Sequence, residues 1–383
     1  MNITFLLRSF GIGGVNVVSS VLANKFLEDG HNVSVFAFYK GTCEIRSRFD
    51  TRIPIVIGNG FECNKGNILL LRNFITENKT QVIINQWGLP YVPIKTLLKA
   101  KKELQIKIIS VYHNDPLQNG KIQDVDKQIL ATSNWFKINY LKMIKHLLKI
   151  VTSFSMRYVY NHSDKFIVLS PSYIKNFKLF TQKDNPHKIE VVPNPITCDS
   201  NGFVYEKSNK LSEIIYVGRL DKTQKCVQRI IEIWSHLEKK FPNWCLSIVG
   251  DGPDRKKLEQ LTQKMNLSRV SFDGIQNPRP YYERASILLL TSDFEGFPLV
   301  LAEAMQFGVI PVVYDSFAAV HDIIDDGING LITHKPYNVD NTTKVIERLL
   351  NDETLRNQLS SAAIKKSKDF SMDKIAKLWY SLM

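Results

Sequence analysis

The stretch ILLLTSDFEGFPLVLAEAM, from Ile287 to Met305, decides the fold of this chain. It begins as a short apolar strand, continues through a polar loop and ends in an apolar helix. Gly296 precedes Pro298, which predicts a helix N-terminus with Pro298 at the first helical position and free backbone amides around it. Glu303 lies among apolar residues of that helix, where a carboxylate is costly unless it is hydrogen-bonded.

Outward from this unit, short β-rich runs alternate with helical patterns along the chain. In the first half the runs are ITFLL from Ile3, VSVFAF from Val33, VIIN from Val82, IKIISVY from Ile106 and KFIVLS from Lys165. In the second half they are EIIYVG from Glu213, CLSIVG from Cys245, RVSFDG from Arg269, ILLLTS from Ile287 and IPVVYD from Ile310. Alternating strands and helices predict an α/β fold with parallel sheets, and the continuous apolar strands predict sheets covered on both faces.

A boundary between two domains is predicted at VVPNPITCDSNGF, because Pro193 and Pro195 interrupt regular structure there. We therefore expect a Rossmann-like domain over residues 1–195, a second Rossmann-like domain over 196–365 and a C-terminal helix over 366–383 that packs back on the first domain. Ligands are expected in a central cleft at the carboxyl ends of the strands.

Composition is that of a globular chain, not a disordered one, with 383 residues, 44% hydrophobic and 23% charged. The net charge of +13 favours anionic partners such as nucleotides, membrane surfaces or nucleic acid. Nucleic-acid binding has the charge alone in its favour, because the sequence holds no module of that kind. We expect no nucleic-acid partner.

The cysteines and the N-terminus indicate the compartment. Five widely spaced cysteines, Cys43 among them, form no C-x-x-C pair, so neither a zinc site nor a disulfide framework is expected. The N-terminal apolar run is interrupted by Arg8, which predicts a first strand and no signal peptide. No apolar run reaches the ~20 residues of a membrane span. These observations predict a cytoplasmic protein.

Two loops carry residues suited to a phosphorylated ligand. The first predicted strand ends at Gly11-Ile-Gly13-Gly14, where a helix start would attract an anion. The sequence GRLDKTQK, from Gly218 to Lys225, places cations directly after the strand EIIYV and suits a diphosphate. Each loop alone has an equally ordinary interpretation, a tight turn in the first case and a solvated turn in the second.

Taken together, VGRL with a following lysine, SIVGDGP and EGFPLVLAEAM resemble glycosyltransferase family 4, whose fold is GT-B. The glutamates at Glu295 and Glu303 match the spacing of that family's signature, and so does a histidine, His113, after a first-domain strand. The segment GRLDKTQKCVQRIIEIW is most similar to the branch that acts in bacterial lipopolysaccharide and surface-polysaccharide assembly. One departure is Cys226, which stands where the family commonly has glycine. Because the spacing to Arg219 is one residue longer than usual, Lys222 is an alternative to Lys225.

The resemblance implies roles for second-domain residues in binding the donor. Arg219 and Lys225, with Gly218, would hold the donor diphosphate, and Glu303 would bind the ribose hydroxyls. Glu295 would face the donor sugar. So would the backbone of the segment after it, namely Gly296, Phe297, Pro298, Leu299 and Val300.

The resemblance implies that the first domain, residues 1–195, binds the acceptor and that the second, residues 196–365, binds the nucleotide sugar. In the first domain, Gly13 and Gly14 would approach the phosphates or the acceptor, and His113 would contact the transferred sugar. Glu295, His113, Arg219 and Lys225 are thus the expected catalytic residues. The resemblance further implies a retaining mechanism without a metal ion or other cofactor, and a UDP-sugar is the expected donor of a hexose or N-acetylhexosamine. The acceptor would be a growing lipopolysaccharide, capsule or other lipid-linked saccharide.

Other interpretations stay open at this point. A non-catalytic GT-B partner or scaffold of another transferase would share the fold, although loss of the glutamates or of the arginine would then be expected. A phosphorylase or an epimerase is a closer rival on the same fold. Asp124-Val125-Asp126 matches the Asp-x-Asp metal motif of a different glycosyltransferase fold, but it lies in a helical pattern and is interpreted as coincidence.

The segment from Trp135 to Tyr160 is predicted to be a basic amphipathic helix. Its interval of the chain, between Asp126 and Asp164, holds no acidic residue. One face carries Phe136, Tyr140, Ile144, Leu147 and Val151, and another carries Lys142, Lys145 and Lys149. Such a helix either lies on an anionic membrane, at the inner face of the plasma membrane, or packs its apolar face into the core as an ordinary surface helix.

Overall fold

The architecture is seen in a computed structural model that describes residues 1–11, 13–41, 44–118 and 120–383. Ile12 of the glycine loop and Cys43 lie outside the described residues. The chain divides into two compact units, one formed by Met1–Asn194 with Ile375–Met383 and the other by Pro195–Lys374. The sequence predicts this boundary one residue later, between residues 195 and 196.

The first unit is built around a seven-stranded parallel sheet. Its strands are β1 (Asn2–Ser9), β2 (Asn32–Tyr39), β3 (Ile55–Ile57), β4 (Val82–Asn85), β5 (Lys107–Tyr112), β6 (Lys165–Val168) and β7 (Ile189–Val191). They follow the order β3-β2-β1-β4-β5-β6-β7, so the strand order reverses direction between β1 and β4. This reversal is the topological switch point at which open α/β sheets bind ligands.

Six helices follow the strands of this unit. They are α1 (Gly14–Glu28), α2 (Lys65–Glu77), α3 (Val92–Lys101), α4 (Gly120–Leu130), α5 (Trp135–Asn161) and α6 (Ser172–Thr181), with a short 3-10 helix at Glu44–Arg48. Because helices cover both faces, the central strands are largely apolar, and Phe5, Leu6 and Leu7 of β1 are all fully buried.

The second unit repeats the scheme with a six-stranded parallel sheet. Its strands are β8 (Glu213–Val217), β9 (Cys245–Val249), β10 (Val270–Gly274), β11 (Ile287–Leu290), β12 (Ile310–Tyr314) and β13 (Leu331–Thr333). The order is β10-β9-β8-β11-β12-β13, which places the switch point between β8 and β11. The loops after these two strands are the predicted donor-binding segments.

The helices of the second unit come before the last described helix, most of which belongs to the first unit. They are α7 (Gln228–Leu237), α8 (Arg255–Lys264), α9 (Arg279–Arg284), α10 (Leu299–Gln306), α11 (Val320–Ile323), α12 (Val339–Asn351) and α13 (Glu353–Ser367), with 3-10 turns at Lys207–Asn209 and Lys368–Phe370. The last helix, α14 (Met372–Leu382), belongs to the first unit from Ile375 onward. Its Tyr380 ring lies 5.3 Å from that of Phe26, and the Tyr380 hydroxyl donates to Asp29 at 2.5 Å.

All ten predicted strands are present within a residue or two of their expected bounds. The sequence patterns do not predict β3, β7 and β13, which have three residues each. Three residues are too few to show an alternating or apolar pattern, so these edge strands carry no signal of their own.

Candidate functional site

The predicted donor-binding residues of the second unit lie on two loops that contact each other at the switch point. The Asp293 amide donates to the Gln224 carbonyl at 2.8 Å, and the Gln224 side chain donates to the Phe294 carbonyl at 3.3 Å. The loop after β8 and the loop after β11 are therefore held side by side at the carboxyl edge of the sheet.

Glycines let the loop after β8 close on its neighbours. Gly218 has φ +152°, and a side chain at Gly250 would place a Cβ 1.9 Å from the Gly218 carbonyl oxygen. The Tyr216 hydroxyl donates to the Arg219 carbonyl at 2.8 Å. These contacts fix the backbone from which the Arg219 side chain extends.

The backbone of Arg219 is held in place, whereas much of its side chain is exposed. Its guanidinium lies 3.1 Å from an Asp221 carboxylate oxygen and donates to the Gln224 side chain at 3.3 Å, yet 58% of the side chain remains exposed. Burial of Asp221 favours a higher pKa, but hydrogen bonds from Thr223 and Gln224, together with the Arg219 charge, lower it below its ordinary value. Asp221 therefore stays ionised and orients an accessible cation.

Lys225 is the lysine that the fold brings to Glu295. Its Nζ lies 2.6 Å from Glu295 Oε1, with the lysine side chain 19% and the glutamate side chain 7% exposed. Lys222 is exposed, and its backbone amide donates to Asp254 at 2.9 Å. Of the two lysines that the sequence left open, Lys225 pairs directly with a predicted donor-site carboxylate.

The backbone conformation at Cys226 explains why the resembled family commonly has glycine at this position. Its φ is +51°, in the left-handed region that costs a non-glycine residue roughly 1–2 kcal/mol. The residue is nonetheless held, because its amide donates to the Asp221 carbonyl at 3.0 Å and its carbonyl accepts from the Thr291 hydroxyl at 3.2 Å. The turn therefore survives the substitution, and burial raises the pKa of the thiol to about 12.

The loop after β11 leads into α10 with one difference from expectation. Pro298 is the N-cap of the helix, with ψ 113°, and the first helical residue is Leu299. The expectation of Pro298 at the first helical position is therefore wrong, because its extended ψ keeps it outside the helix. The Pro298 side chain makes no capping hydrogen bond, and the first turn, which includes Val300, has no acidic residue. Its amides suit an anionic or polar ligand.

The residues between Glu295 and α10 pack against the second unit. Gly296 is buried, and the Phe297 ring packs edge-on against Phe370 at 5.5 Å. Glu295 pairs with Lys225 and lies three residues before the N-cap. The backbone from Gly296 to Val300 is thus supported by the core of the second unit.

Glu303 is buried inside α10 and is hydrogen-bonded to two hydroxyl groups. Thr197 donates to its Oε1, and Tyr282 donates to its Oε2 at 3.1 Å. The Tyr282 ring stacks on Phe307 at 5.9 Å, which fixes the hydroxyl. These two neutral hydroxyl groups offset the cost of burying the carboxylate, and hydroxyl groups of a ligand could replace them as donors.

The predicted residues of the first unit lie at the carboxyl ends of β1 and β5. Gly13 is the N-cap of α1, and Gly14 is its first residue; both are exposed. Among the described residues, a Cβ at Gly13 would meet no atom within 4 Å, so there is space beside this helix start. His113 Nε2 lies 2.6 Å from Gln86 Oε1, and burial lowers the pKa of His113 to about 4. The imidazole is therefore neutral near pH 7.

With this geometry, the chain can be compared with known proteins. The family described as Glycosyltransferase Family 4 matches residues 12–200, and the family described as Glycosyl transferases group 1 matches residues 199–366. The two matches follow each other without a gap and together span both units. The chain belongs to glycosyltransferase family 4. It is a hexosyltransferase-type enzyme with the GT-B fold.

Relatives of this glycosyltransferase match over its full length. An enzyme of Campylobacter jejuni, the GalNAc-alpha-(1->4)-GalNAc-alpha-(1->3)-diNAcBac-PP-undecaprenol alpha-1,4-N-acetyl-D-galactosaminyltransferase, is 27% identical, with 100% of this chain and 98% of that protein covered. Among solved structures, the apo lipopolysaccharide outer core galactosyltransferase WaaB has a TM-score of 0.68 at 19% identity, with 100% of both chains covered. Anabaena HepE in complex with UDP has a TM-score of 0.75 at 17% identity, covering 100% of this chain and 99% of that one.

Several residues that support the glycosyltransferase site were missed by sequence reasoning. Thr197 and Tyr282 hold Glu303, and Arg229 anchors the loop after β11 by pairing with Asp293 at 2.7 Å and donating to the Thr291 carbonyl at 2.9 Å. Their partners lie far along the chain, so no local pattern marks them. Only the three-dimensional fold reveals these contacts.

Two observations concern the metal motif and the membrane. Within the described parts of the chain, no group of three or more histidine, cysteine, aspartate or glutamate side chains is arranged to hold a metal ion. The Asp124–Asp126 motif lies on α4, where Asp126 pairs with Lys145. None of the described helices has both the length and the apolar character needed to cross a bilayer.

Helix α5 differs from an ordinary surface helix. Its buried residues are Leu141, Met156, Val159 and Tyr160, none of which belongs to the predicted apolar face. On that face Phe136 is 78% exposed, Leu147 53% and Val151 64%. The alternative that this face packs into the core is therefore wrong.

Proposed function

We propose that this glycosyltransferase is a retaining, metal-independent enzyme that moves a hexose or N-acetylhexosamine from a UDP-sugar to a growing surface glycan. The acceptor would be a lipopolysaccharide, a capsule or another lipid-linked saccharide. The observation that carries the proposal is the group formed by Arg219, Lys225 and Glu295 beside the N-terminus of α10. The name of the Campylobacter jejuni relative, which includes a PP-undecaprenol-linked saccharide, and the UDP bound to Anabaena HepE support this choice of substrates.

The cations of the second unit are suited to the leaving diphosphate. Breaking the anomeric bond transfers negative charge to the diphosphate, and prearranged charges stabilise such a change more than the ground state. Arg219 is accessible but oriented by Asp221, and Lys225 is held by Glu295. Both are therefore held before the charge develops, and the amides at the N-terminus of α10 would add to the field.

The remaining second-unit residues would bind the rest of the donor. Glu303 would accept hydrogen bonds from the ribose hydroxyls, which would take over from or join those of Thr197 and Tyr282. Glu295 and the backbone from Gly296 to Val300 would contact the sugar. Because Thr197 and Tyr282 already donate hydrogen bonds to Glu303, the carboxylate can stay buried in the helix when no ligand is bound.

The first unit would supply a neutral histidine and an open helix N-terminus. His113 carries no positive charge near pH 7, since burial lowers its pKa to about 4. It can therefore hydrogen-bond a sugar hydroxyl without repelling the positive charge that develops at the anomeric carbon. Gly13 and Gly14 leave the N-terminal amides of α1 accessible to phosphate or to the acceptor.

Contact with an anionic membrane surface is the part of the proposal that α5 supports. Its exposed apolar face would bury in the interface, and the net charge of +13, with no acidic residue between Asp126 and Asp164, favours an anionic surface. The apolar side chains should dominate, because Lys145 is engaged with Asp126 while Lys142 and Lys149 lie on another face. The enzyme would then work in the cytoplasm at the inner face of the plasma membrane, where lipid-linked acceptors are found.

A donor panel tests the proposal directly. Nucleotide release would be measured with UDP-, GDP- and ADP-sugars in the presence of lipid-linked acceptors, with and without EDTA, and the anomer of the product assigned by NMR. We expect turnover with a UDP-sugar, unchanged activity in EDTA and retention of configuration. Loss of activity in EDTA with recovery on adding manganese, or an inverted product, would contradict the mechanism. A folded protein that binds UDP but transfers no sugar from any donor would favour the scaffold alternative.

A further inference from the structure

A cavity of about 850 Å³ lies within the first unit, at the carboxyl ends of β4 and β5 beside α5. It is lined by His113 and by residues of the loop that follows β4, at the switch point of this sheet. Its walls carry five aromatic side chains besides those of the strands, namely Phe61, Trp87, Tyr91, Phe154 and Tyr158. The position is the one at which open α/β sheets bind ligands, and the walls suit the apolar faces of sugar rings.

Two polar groups of this cavity have no partner within the described part of the chain. Gln86 is 1% exposed, and while one end of its amide contacts His113, its Nε2 has no hydrogen-bond partner. Trp87 Nε1 is buried and likewise without a partner. Buried N–H groups are rarely left unpaired, so two of them in one cavity point to a ligand that accepts hydrogen bonds.

Hydrogen bonds on two sides hold the backbone of the loop that carries these groups. The Gln86 amide donates to the Leu6 carbonyl at 3.2 Å, and the Gly88 amide donates to the Val111 carbonyl at 2.8 Å. Any side chain at Gly88 would place a Cβ 2.8 Å from that same carbonyl oxygen. On the other side, the Ser155 hydroxyl of α5 donates to the Leu89 carbonyl at 2.6 Å. The backbone that carries the two N–H donors is therefore held in place before a ligand binds.

The charges in the cavity agree with the same kind of ligand. The Arg8 guanidinium lies 5.1 Å from the Phe61 ring centroid and 5.7 Å from that of Trp87, and Lys121 also lines the cavity. No aspartate or glutamate occurs among the described residues that line it. A neutral sugar presents hydroxyl protons that carboxylates usually accept, so this lining favours a ligand with its own accepting oxygen.

We propose that this cavity binds the sugar of the acceptor and selects one that bears an acetamido carbonyl or a carboxylate. The substituent accepts hydrogen bonds from Gln86 Nε2 and Trp87 Nε1, while the ring lies against the aromatic walls. The assignment of this ligand as the acceptor rests on the proposed transferase function. Gln86 and Trp87 are then specificity-determining residues, and His113 is the link between this cavity and the transferred sugar.

Binding of simple glycosides tests the proposal without requiring turnover. Methyl glycosides of N-acetylhexosamine, of hexuronic acid and of the parent hexose, in both gluco and galacto series, would be titrated by NMR. At least one substituted glycoside should bind about tenfold more tightly than its parent, the difference expected from one or two hydrogen bonds. Trp87→Phe keeps an aromatic face but removes the N–H, and it should abolish most of that preference.

The controls separate this proposal from the wider one. Trp135→Phe makes the same chemical change at an exposed position outside the cavity and should leave the preference intact. UDP binding, measured on the same samples, reports on the second unit. If the protein shows the glycoside preference but does not bind UDP, the proposed function is contradicted and the cavity proposal is not.

Three results would overturn the cavity proposal. The first is equal binding of parent and substituted glycosides, or no binding by any of them. The second is a preference that survives both Trp87→Phe and Gln86→Leu in variants with native thermal unfolding. The third is binding that requires a long alkyl aglycone and ignores the sugar substituent, which would assign the cavity to a lipid chain instead.

Discussion

Replacing Lys225 with methionine should affect both stability and catalysis, and the two effects can be separated. The Lys225 Nζ lies 2.6 Å from Glu295 Oε1, and the glutamate side chain is only 7% exposed. Removing one partner of a fully buried ion pair costs ~3–5 kcal/mol. Since Lys225 retains 19% exposure, and water can partly replace it, we expect a loss of ~2–3 kcal/mol in the free energy of unfolding.

The catalytic effect has a different origin. If Lys225 stabilises the leaving diphosphate, its removal should cost ~2–4 kcal/mol of transition-state stabilisation, as for other prearranged donors. That corresponds to a drop in kcat/KM of roughly 30- to 1000-fold. Urea unfolding gives the first quantity, and UDP release with the donor identified by the panel gives the second. Lys222→Met, at an exposed lysine three residues earlier, is the matched control and should change both quantities little.

A double-mutant cycle with Glu295→Gln decides between the roles. If Lys225 acts on the diphosphate, adding Lys225→Met to Glu295→Gln should cost little further stability, because the Glu295→Gln variant has no buried carboxylate that could lose its partner, yet it should still reduce kcat/KM at least 30-fold. The reasoning is refuted if the second substitution costs no further activity. Lys225 would then serve only as the partner of Glu295, and the diphosphate would depend on other groups.

Three further predictions concern the donor site and α5. Arg219→Ala should remove ~2–4 kcal/mol of transition-state stabilisation and so lower kcat/KM, with little change in the free energy of unfolding, since the side chain is 58% exposed. Near-normal turnover would contradict the role of Arg219 in binding the diphosphate. Glu303→Gln should mainly raise the donor KM, because ribose contacts are similar in ground and transition states, whereas Glu295→Gln should mainly lower kcat; steady-state kinetics showing the opposite pattern would reverse the roles. Phe136→Gln with Leu147→Gln should weaken flotation with anionic vesicles by tenfold or more, at ~1.5 kcal/mol or more per apolar side chain, without affecting turnover on a soluble acceptor; unchanged flotation would contradict membrane contact.

How much of the fold could be predicted depended on the length of each pattern. The apolar runs of β1, β8 and β11 were unmistakable because strands buried on both faces hold few polar residues. The three-residue strands β3, β7 and β13 gave no such pattern. Pro298 was misplaced by one position because its backbone dihedral angles, which decide whether it belongs to the helix, are not encoded in the residue type alone.

The candidate site shows a similar division between local and distant information. The residue types at Arg219, Glu295 and Glu303 followed from local motifs and their spacing. The choice of Lys225 over Lys222, and the contacts of Thr197 and Tyr282 with Glu303, depend on residues brought together from distant parts of the chain. For α5, periodicity predicted an apolar face, but only the fold shows whether another element covers it.

The return of α14 to the first unit has a practical consequence for exchanging parts between related enzymes. In topological terms, residues 195–374 are an insertion in a domain whose last piece is residues 375–383. A chimaera that borrows donor specificity from a relative therefore needs two junctions, near Asn194 and near Lys374. A single junction at Asn194 would also replace Trp379 and Tyr380, and the foreign helix would have to fill the surface around Phe26 that these rings cover.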